Sequence, residues 1–245
     1  MKLLVAFKQV PDPEAGNPDG PSPGGRWIVN PFDAIAIEEA VRLRERGAAA
    51  EAVGVTIASA AAEPQIRSAL AMGLDRALRI DDDRALDPYA VARILVAVVR
   101  RENPDLVIMG KQAVDDDASQ VGPMLAGLLG WPQATFISKL ELLPDNRRIE
   151  CARETDQGSE RIAAGLPAVV TVDLRLNEPR YVSLPGLIRA RSRPIDVLAS
   201  AAIAPSVHPR TRVITTGRVA SRRAGERVAS VEDLLARLRG REKVL

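Results

Sequence analysis

The sequence predicts an α/β fold: a doubly wound, mostly parallel sheet, then an antiparallel hairpin region and an extended C-terminal arm. Three observations support this. Residues 3–7 form a continuous rather than alternating apolar run, as in a parallel strand covered on both faces. Strand-like runs of this kind alternate with helix-length segments to about residue 141, and four β–loop–α repeats in series imply right-handed crossovers. Beyond Phe136 the apolar pieces shorten and are set apart by Asp, Asn and Gly, the mark of hairpins.

Taken in order, residues 3–7 are the first strand. Residues 11–25 are rich in Pro and Gly and form either a loose hairpin over a site or a mobile segment. Asn30 caps a helix that begins at Pro31, with Ile35, Ile37, Ala40, Val41 and Leu43 on its buried side. Residues 53–57 are the second strand, and 63–72 a helix stopped by Gly73. Residues 77–80 are a short strand, and Asp87-Pro88 opens a helix to about Arg101. Residues 106–109 form the fourth strand, ending at Gly110. A helix then starts at Asp117 or Ser119 and ends near Gly130-Trp131-Pro132. Residues 140–142, 148–151 and 161–163 are hairpin strands turning at Asp145-Asn146 and Gln157-Gly158-Ser159, and 168–172 return to the sheet.

After Pro185 little is periodic until a terminal helix at 231–238, introduced by Ser230 with Glu232 and Asp233 in its first turn. Residues 194–227 lack the apolar density to fold alone and are either disordered or an arm packed on something else. The expected division is therefore an α/β domain over 1–193 and an arm over 194–245.

Composition excludes several classes of function. Aromatics are 3% of the 245 residues, too sparse for a base-stacking nucleic-acid surface. The net charge of +2 does not call for a polyanionic partner. Residues 187–227 nevertheless hold nine arginines against Asp196 and Glu226, either a solvated face or a tail lying on an acidic partner. The single Cys151 excludes an intrachain disulfide and an iron–sulfur site, and the single His208, in the arginine-rich tail far from any acidic cluster, argues against a Ser-His-Asp triad or a His-based metal site. The first ten residues have too short an apolar run for a signal peptide, and no run approaches the roughly 18 apolar residues of a membrane span. The expectation is a cytoplasmic protein without membrane insertion.

In a doubly wound sheet, ligands bind beyond the carboxyl ends of the strands at the switch point. Three segments end there: Ala6-Phe7-Lys8, residues 56–59 and residues 110–122. Gly110 permits close backbone approach to a ligand. A helix starting near Ala118 offers N–H groups and its positive dipole end to a phosphate, with Ser119 and Gln120 as further donors. Asp115-Asp116-Asp117 are either first-turn helix carboxylates or, with phosphate oxygens, part of a Mg²⁺ site. Lys111 is expected to balance these aspartates. Neither GxxxxGK[ST] nor GxGxxG occurs.

Residues 174–185, Leu-Arg-Leu-Asn-Glu-Pro-Arg-Tyr-Val-Ser-Leu-Pro, contain two prolines that cannot lie inside a helix or a central strand. The segment is either an amphipathic surface loop suited to docking a protein, or a crossover whose leucine tucks into its own core.

This stretch closely resembles the signature of the electron-transfer flavoprotein β subunit. Three further motifs match the same family in the same order: Asn30-Pro31-Phe32-Asp33, Ser68-Ala69-Leu70-Ala71-Met72-Gly73 and Gly110-Lys111-Gln112-Ala113-Val114-Asp115-Asp116-Asp117. The resemblance covers roughly residues 1–200. It implies a Rossmann-like, adenine-nucleotide-binding sheet in an electron carrier with no catalytic residues of its own. It further implies an αβ heterodimer whose FAD is held mainly by the α subunit while the β subunit buries AMP. The implied nucleotide contacts are Ala6, Asn30, Pro31, Phe32, Asp33, Ile57 and the run Gly110, Lys111, Gln112, Ala113, Val114, Asp115, Asp116, Asp117, Ala118, Ser119, Gln120 and Val121, with Phe32 towards the flavin. The implied docking residues are Glu178, Pro179, Arg180, Tyr181, Leu184, Pro185 and Arg189, with Leu184 anchoring in acyl-CoA and related dehydrogenases. The resemblance also implies that electrons pass through FAD to a membrane flavoprotein-quinone oxidoreductase.

Departures from the pattern bear on that implication. Val121 stands where many relatives carry a threonine, which removes a hydroxyl near the nucleotide. Pro11-Asp12-Pro13 and Gln120-Val121-Gly122-Pro123 resemble the electron-bifurcating branch, whose β subunit holds a second FAD in place of AMP. The full aspartate triplet and intact docking segment favour the ordinary branch. An adenylate-using hydrolase or ligase would need a phosphate-gripping turn or metal cluster, and the docking prolines make little sense in a free nucleotide-sensing module.

Overall fold

The computed structural model describes residues 1–15, 25–143, 147–215, 217 and 225–242. Strand β1 (Lys2–Ala6) is followed by the short strands β2 (Gln9–Pro11) and β3 (Trp27–Val29), which pair antiparallel. The two ends of the Pro- and Gly-rich segment thus form a hairpin, while residues 16–24 lie outside the described residues. Helix α1 (Pro31–Glu45) leads to β4 (Glu51–Ile57), α2 (Glu63–Met72) to β5 (Arg76–Asp81), and α3 (Pro88–Glu102) to β6 (Leu106–Gly110). Then come α4 (Val121–Leu129), the strands β7 (Gln133–Leu142), β8 (Arg148–Thr155), β9 (Gly158–Gly165) and β10 (Ala168–Val172), and helix α5 (Leu184–Ser192). Strand β11 (Ile195–Ala199), the short α6 (Ser200–Ile203) and α7 (Val231–Arg237) complete the order.

The main sheet runs β11-β5-β4-β1-β6-β10-β7-β8-β9, parallel except for the β7–β8–β9 pairings. From β1 the chain builds outward through β4 to β5, then crosses back to place β6 on the other side of β1. The carboxyl ends of β1 and β6 therefore border the switch-point crevice. Alternate strand residues face opposite layers: Leu3 and Val5 join α1 and α2 in one core, Leu4 and Ala6 join α3 and α4 in the other. This is the doubly wound α/β arrangement that the sequence predicts.

Several elements differ from the sequence expectation. Helix α4 begins at Val121, not at Asp117 or Ser119, because both of those residues hold positive φ, +48° and +54°, which cannot continue a right-handed helix. The hairpin strands run further than their apolar pieces, carried by charged pairs such as Arg153 with Glu160, 2.8 Å apart. The Asp145-Asn146 turn lies outside the described residues. Residues 184–192 form a helix after all: the Ser183 hydroxyl accepts from the Gly186 N–H at 3.2 Å, and Pro185 sits in the first turn, where its missing N–H costs nothing. Residues 195–199 extend the sheet beside β5 as an edge strand whose outer side chains are exposed, so the apolar signal was thin.

Two compact units result, Met1–Arg212 and Val213–Leu245. In the second, the Ser230 hydroxyl accepts from the Asp233 N–H at 3.1 Å and caps α7, and Arg237 pairs with Asp233 and Glu226. Among the described residues, no helix is long and apolar enough to cross a membrane.

Candidate functional site

A cavity of about 270 Å³ opens at the switch point. Its walls come from the end of β1 (Ala6, Phe7, Lys8), the end of β4 (Thr56, Ile57), Asn30 and Asp33 of the α1 start, and the segment 110–113 after β6. Ala118, Ser119, Gln120, Val121 and Gly122 line it at the start of α4. These are the three strand ends selected from the sequence. Pro31, Phe32, Val114, Asp115 and Asp117 are not among the lining residues.

Two residues at the start of α1 hold the crevice together. Asp33 is 6% exposed; Oδ2 accepts the Lys8 N–H at 2.8 Å and Oδ1 accepts the Gly110 N–H at 2.8 Å. One carboxylate thus ties the ends of β1 and β6. Burial pushes that carboxyl up to about 6, even though the N–H groups of Lys8 and Gly110 favour its charged form. Asn30 is 1% exposed; its Nδ2 donates to the Gln112 carbonyl at 2.8 Å, and its Oδ1 accepts the Val114 N–H at 3.2 Å. The loop after β6 therefore hangs on Asn30.

Gly110 is required here for a reason other than ligand approach. A Cβ at this position would lie 2.5 Å from Asp33 Oδ1 and 2.6 Å from Phe32 Cβ, so the glycine lets α1 close on β6.

The aspartate triplet does not cap a helix. Lys8 Nζ lies 2.7 Å from Asp115 Oδ2 and 3.2 Å from Asp116 Oδ2; burial opposes the lysine charge, but the two carboxylates outweigh it and hold the ammonium above its usual range. Asp116 also accepts the Ala118 N–H at 3.1 Å, and Asp117 accepts from Gln112 Nε2 at 2.7 Å. Lys8, rather than Lys111, balances these charges. Lys111 Nζ instead pairs with Asp173 at 2.7 Å, between the rings of Phe32 and Phe136, 5.3 and 5.2 Å from their centroids.

One wall escaped sequence reasoning. Asp82, Arg84, Leu86, Pro88, Val91 and Leu95, from the end of β5 into α3, line the same cavity. The Asp82 side chain is 2% exposed and is held down to about 2 by Arg84, whose Nη2 lies 2.6 Å from its Oδ2. The signal that could have found this wall was the carboxyl-end rule applied to the third strand of the series. The site thus combines N–H and hydroxyl donors at the start of α4 with an apolar slot along α3, which suits a phosphate joined to a flat heterocycle. Among the described residues, no three His, Cys, Asp or Glu side chains converge as metal ligands.

The Pro-bounded segment expected from the sequence to dock a partner lies elsewhere, against α1 and α2. Tyr181 is 96% and Leu184 70% exposed, so Leu184 is not tucked into the core. Pro185 and Arg189 lie on α5, and Glu178 and Pro179 lead up to it. The Arg180 guanidinium is taken up by Glu38 and Glu45 of α1.

Residues 23–203 match the family model described as electron transfer flavoprotein domain. Over full length the chain is 44% identical to an electron transfer flavoprotein subunit beta, mitochondrial, of rice (Oryza sativa subsp. indica), aligned over 255 residues with all of both chains covered. It is likewise 44% identical over 251 residues to an electron transfer flavoprotein subunit beta of Bradyrhizobium diazoefficiens, again with both chains covered completely. With the subunit of the same name from Homo sapiens it shares 41% identity over 249 residues, 98% of this chain and 97% of the other.

Proposed function

The chain belongs to the electron transfer flavoprotein family, among its β subunits, and from that premise we propose that it pairs with an α subunit and buries AMP at the switch-point cavity. It helps form the site of an FAD held mainly by that partner, and it docks acyl-CoA and related dehydrogenases through residues 174–189. FAD, when bound, supplies the redox chemistry and passes electrons on to a flavoprotein-quinone oxidoreductase. This chain contributes positioning and electrostatics rather than an acid, base or nucleophile.

The cavity is the observation that supports the nucleotide assignment. The first-turn N–H groups of Val121 and Gly122, with Ser119 and Gln120 beside them, suit the phosphate, and Leu86, Val91 and Leu95 suit the base. At about 270 Å³, just under the roughly 300 Å³ of the smallest ligand pockets, the space is of a size for a mononucleotide.

The docking assignment is supported by Leu184, an apolar side chain left 70% exposed by a capped helix start. An interface anchor cut to alanine typically loses about 2 kcal/mol or more of binding with little change in fold stability. Co-expression with the α subunit should give a heterodimer on a sizing column with visible flavin absorbance. Leu184→Ala should then slow electron acceptance from an acyl-CoA dehydrogenase and leave flavin content and melting temperature unchanged. A lowered melting temperature with normal electron transfer would mean that the leucine is structural.

A further inference from the structure

Arg180 immediately precedes the exposed Tyr181, and although its side chain is itself 34% exposed, its guanidinium is turned onto two glutamates of α1. Nε and Nη2 donate to the two carboxylate oxygens of Glu38 at 2.8 and 3.1 Å. Nη1 and Nη2 donate to Glu45 at 2.6 and 2.9 Å, and the Arg180 backbone N–H reaches Glu38 Oε2 at 3.2 Å. Glu38 is 2% exposed and takes a further bond from Arg42 Nε at 2.7 Å, while Arg42 Nη2 holds the Glu178 carbonyl at 3.1 Å. Asn177 Nδ2 donates to the Ile35 carbonyl and to Glu39 Oε2, each at 3.1 Å. Residues 177–180 are thus bolted along about three turns of one rigid helix.

A double fork of this kind matches the planar guanidinium and no other side chain. Burial works against the Glu38 charge, but the bonds from Arg180 and Arg42 overcome it and hold the carboxyl below its usual range. The residue that immediately follows is Tyr181, and Leu184 comes three later.

We propose that Arg180 is a positioning residue which touches no partner: through Glu38 and Glu45 it fixes the docking segment on α1, so that Tyr181 and Leu184 meet the dehydrogenase already ordered. A segment ordered before contact loses less conformational freedom on binding, and that advantage appears in the affinity of docking rather than in the electron-transfer step. The inference rests on the docking role proposed above for Leu184.

The test uses the purified heterodimer with three variants, Arg180→Lys, Glu45→Gln and Leu184→Ala, and an acyl-CoA dehydrogenase as electron donor. Lysine keeps the charge but loses the fork. The Glu45 side chain is 49% exposed, so Glu45→Gln weakens the bolt without uncovering a buried charge. Arg180→Lys and Glu45→Gln should each raise the KM for the dehydrogenase, by about five- to tenfold for the lysine variant, while kcat holds. Amide hydrogen exchange over 177–188 should quicken in both. Leu184→Ala should raise KM with exchange in that segment unchanged.

If Leu184→Ala raises KM and neither bolt variant does, the positioning role is wrong. Should Leu184→Ala leave KM unmoved, the docking assignment falls and this inference with it. A loss of flavin and melting temperature in Arg180→Lys, together with unchanged KM and exchange in Glu45→Gln, would make Arg180 merely structural.

Discussion

Gly110→Ala should dislodge the start of α1 from the sheet, and the size of the effect follows from what the new methyl would meet. Its Cβ would lie 2.5 Å from Asp33 Oδ1, 2.6 Å from Phe32 Cβ and 2.9 Å from the Phe32 carbonyl carbon. Two of those atoms are backbone or fixed to it, so no rotamer change relieves the contact. The first turn of α1 must retreat from β6 and carry Asp33 away from the Gly110 N–H that it holds at 2.8 Å. Overpacking of a tight core costs about 1–3 kcal/mol. The strained hydrogen bond to a charged group adds about 1 kcal/mol or more. A loss of about 3–4 kcal/mol corresponds to a melting temperature lower by roughly 10 °C in a chain of this size.

The control is Gly127→Ala, the same chemical change on the exposed side of α4, where a Cβ would meet nothing within 4 Å. There, removing a helical glycine should stabilise by about 0.5–1 kcal/mol and raise the melting temperature by about 2 °C. Thermal melting by circular dichroism, with bound nucleotide assayed on the same samples, reads both. If Gly110→Ala melts within about 2 °C of the wild type and retains its nucleotide, then the close seating of α1 on β6 is not what shapes the cavity.

Asp33 gives a pH signature. Because its carboxyl is pushed up from 3.8 to about 6, the folded protein takes the proton before the unfolded chain does; the stability this contributes is whole below about pH 3.8 and lost by about pH 6. Asp33→Asn cannot titrate, so in urea denaturation the stability of the wild type minus that of the variant should fall by up to about 3 kcal/mol between about pH 4 and 7; a flat difference would contradict the burial of a charge there. Lys111→Met should cost about 2 kcal/mol by breaking the pair with Asp173 between the two rings, and urea denaturation at high salt should show most of that loss persisting, since the pair is largely shielded from solvent. Cys151, 1% exposed with its thiol pushed up to about 12 by burial, should resist iodoacetamide at about pH 8 until the protein unfolds, and rapid native alkylation would place it wrongly.

How much was legible in the sequence depended on whether the deciding force was local. The continuous apolar strand at 3–7, the Pro31 helix start and the Gly73 stop are set by burial and backbone preference, and each stands where the residues point. The switch-point rule likewise selected the strand ends that meet in one cavity, although it was not extended to Asp82 and Arg84. What escaped was decided by distant partners. Asp115–Asp117 look like helix-capping residues, yet Lys8, more than a hundred positions away, fixes two of them, and positive φ at Asp117 and Ser119 delays the helix. Lys111 lies only four positions before those aspartates but turns to Asp173. Arg180 reads as an exposed docking cation, and only the return of its loop to Glu38 and Glu45 turns it inward.

The most direct test of the nucleotide assignment is to release bound nucleotides by acid from the purified heterodimer and quantify them by anion-exchange chromatography. An AMP seated at the start of α4 in this chain predicts about one AMP and one FAD per heterodimer. About two FAD per heterodimer and no AMP would contradict it, because the switch-point cavity would then hold a second redox flavin.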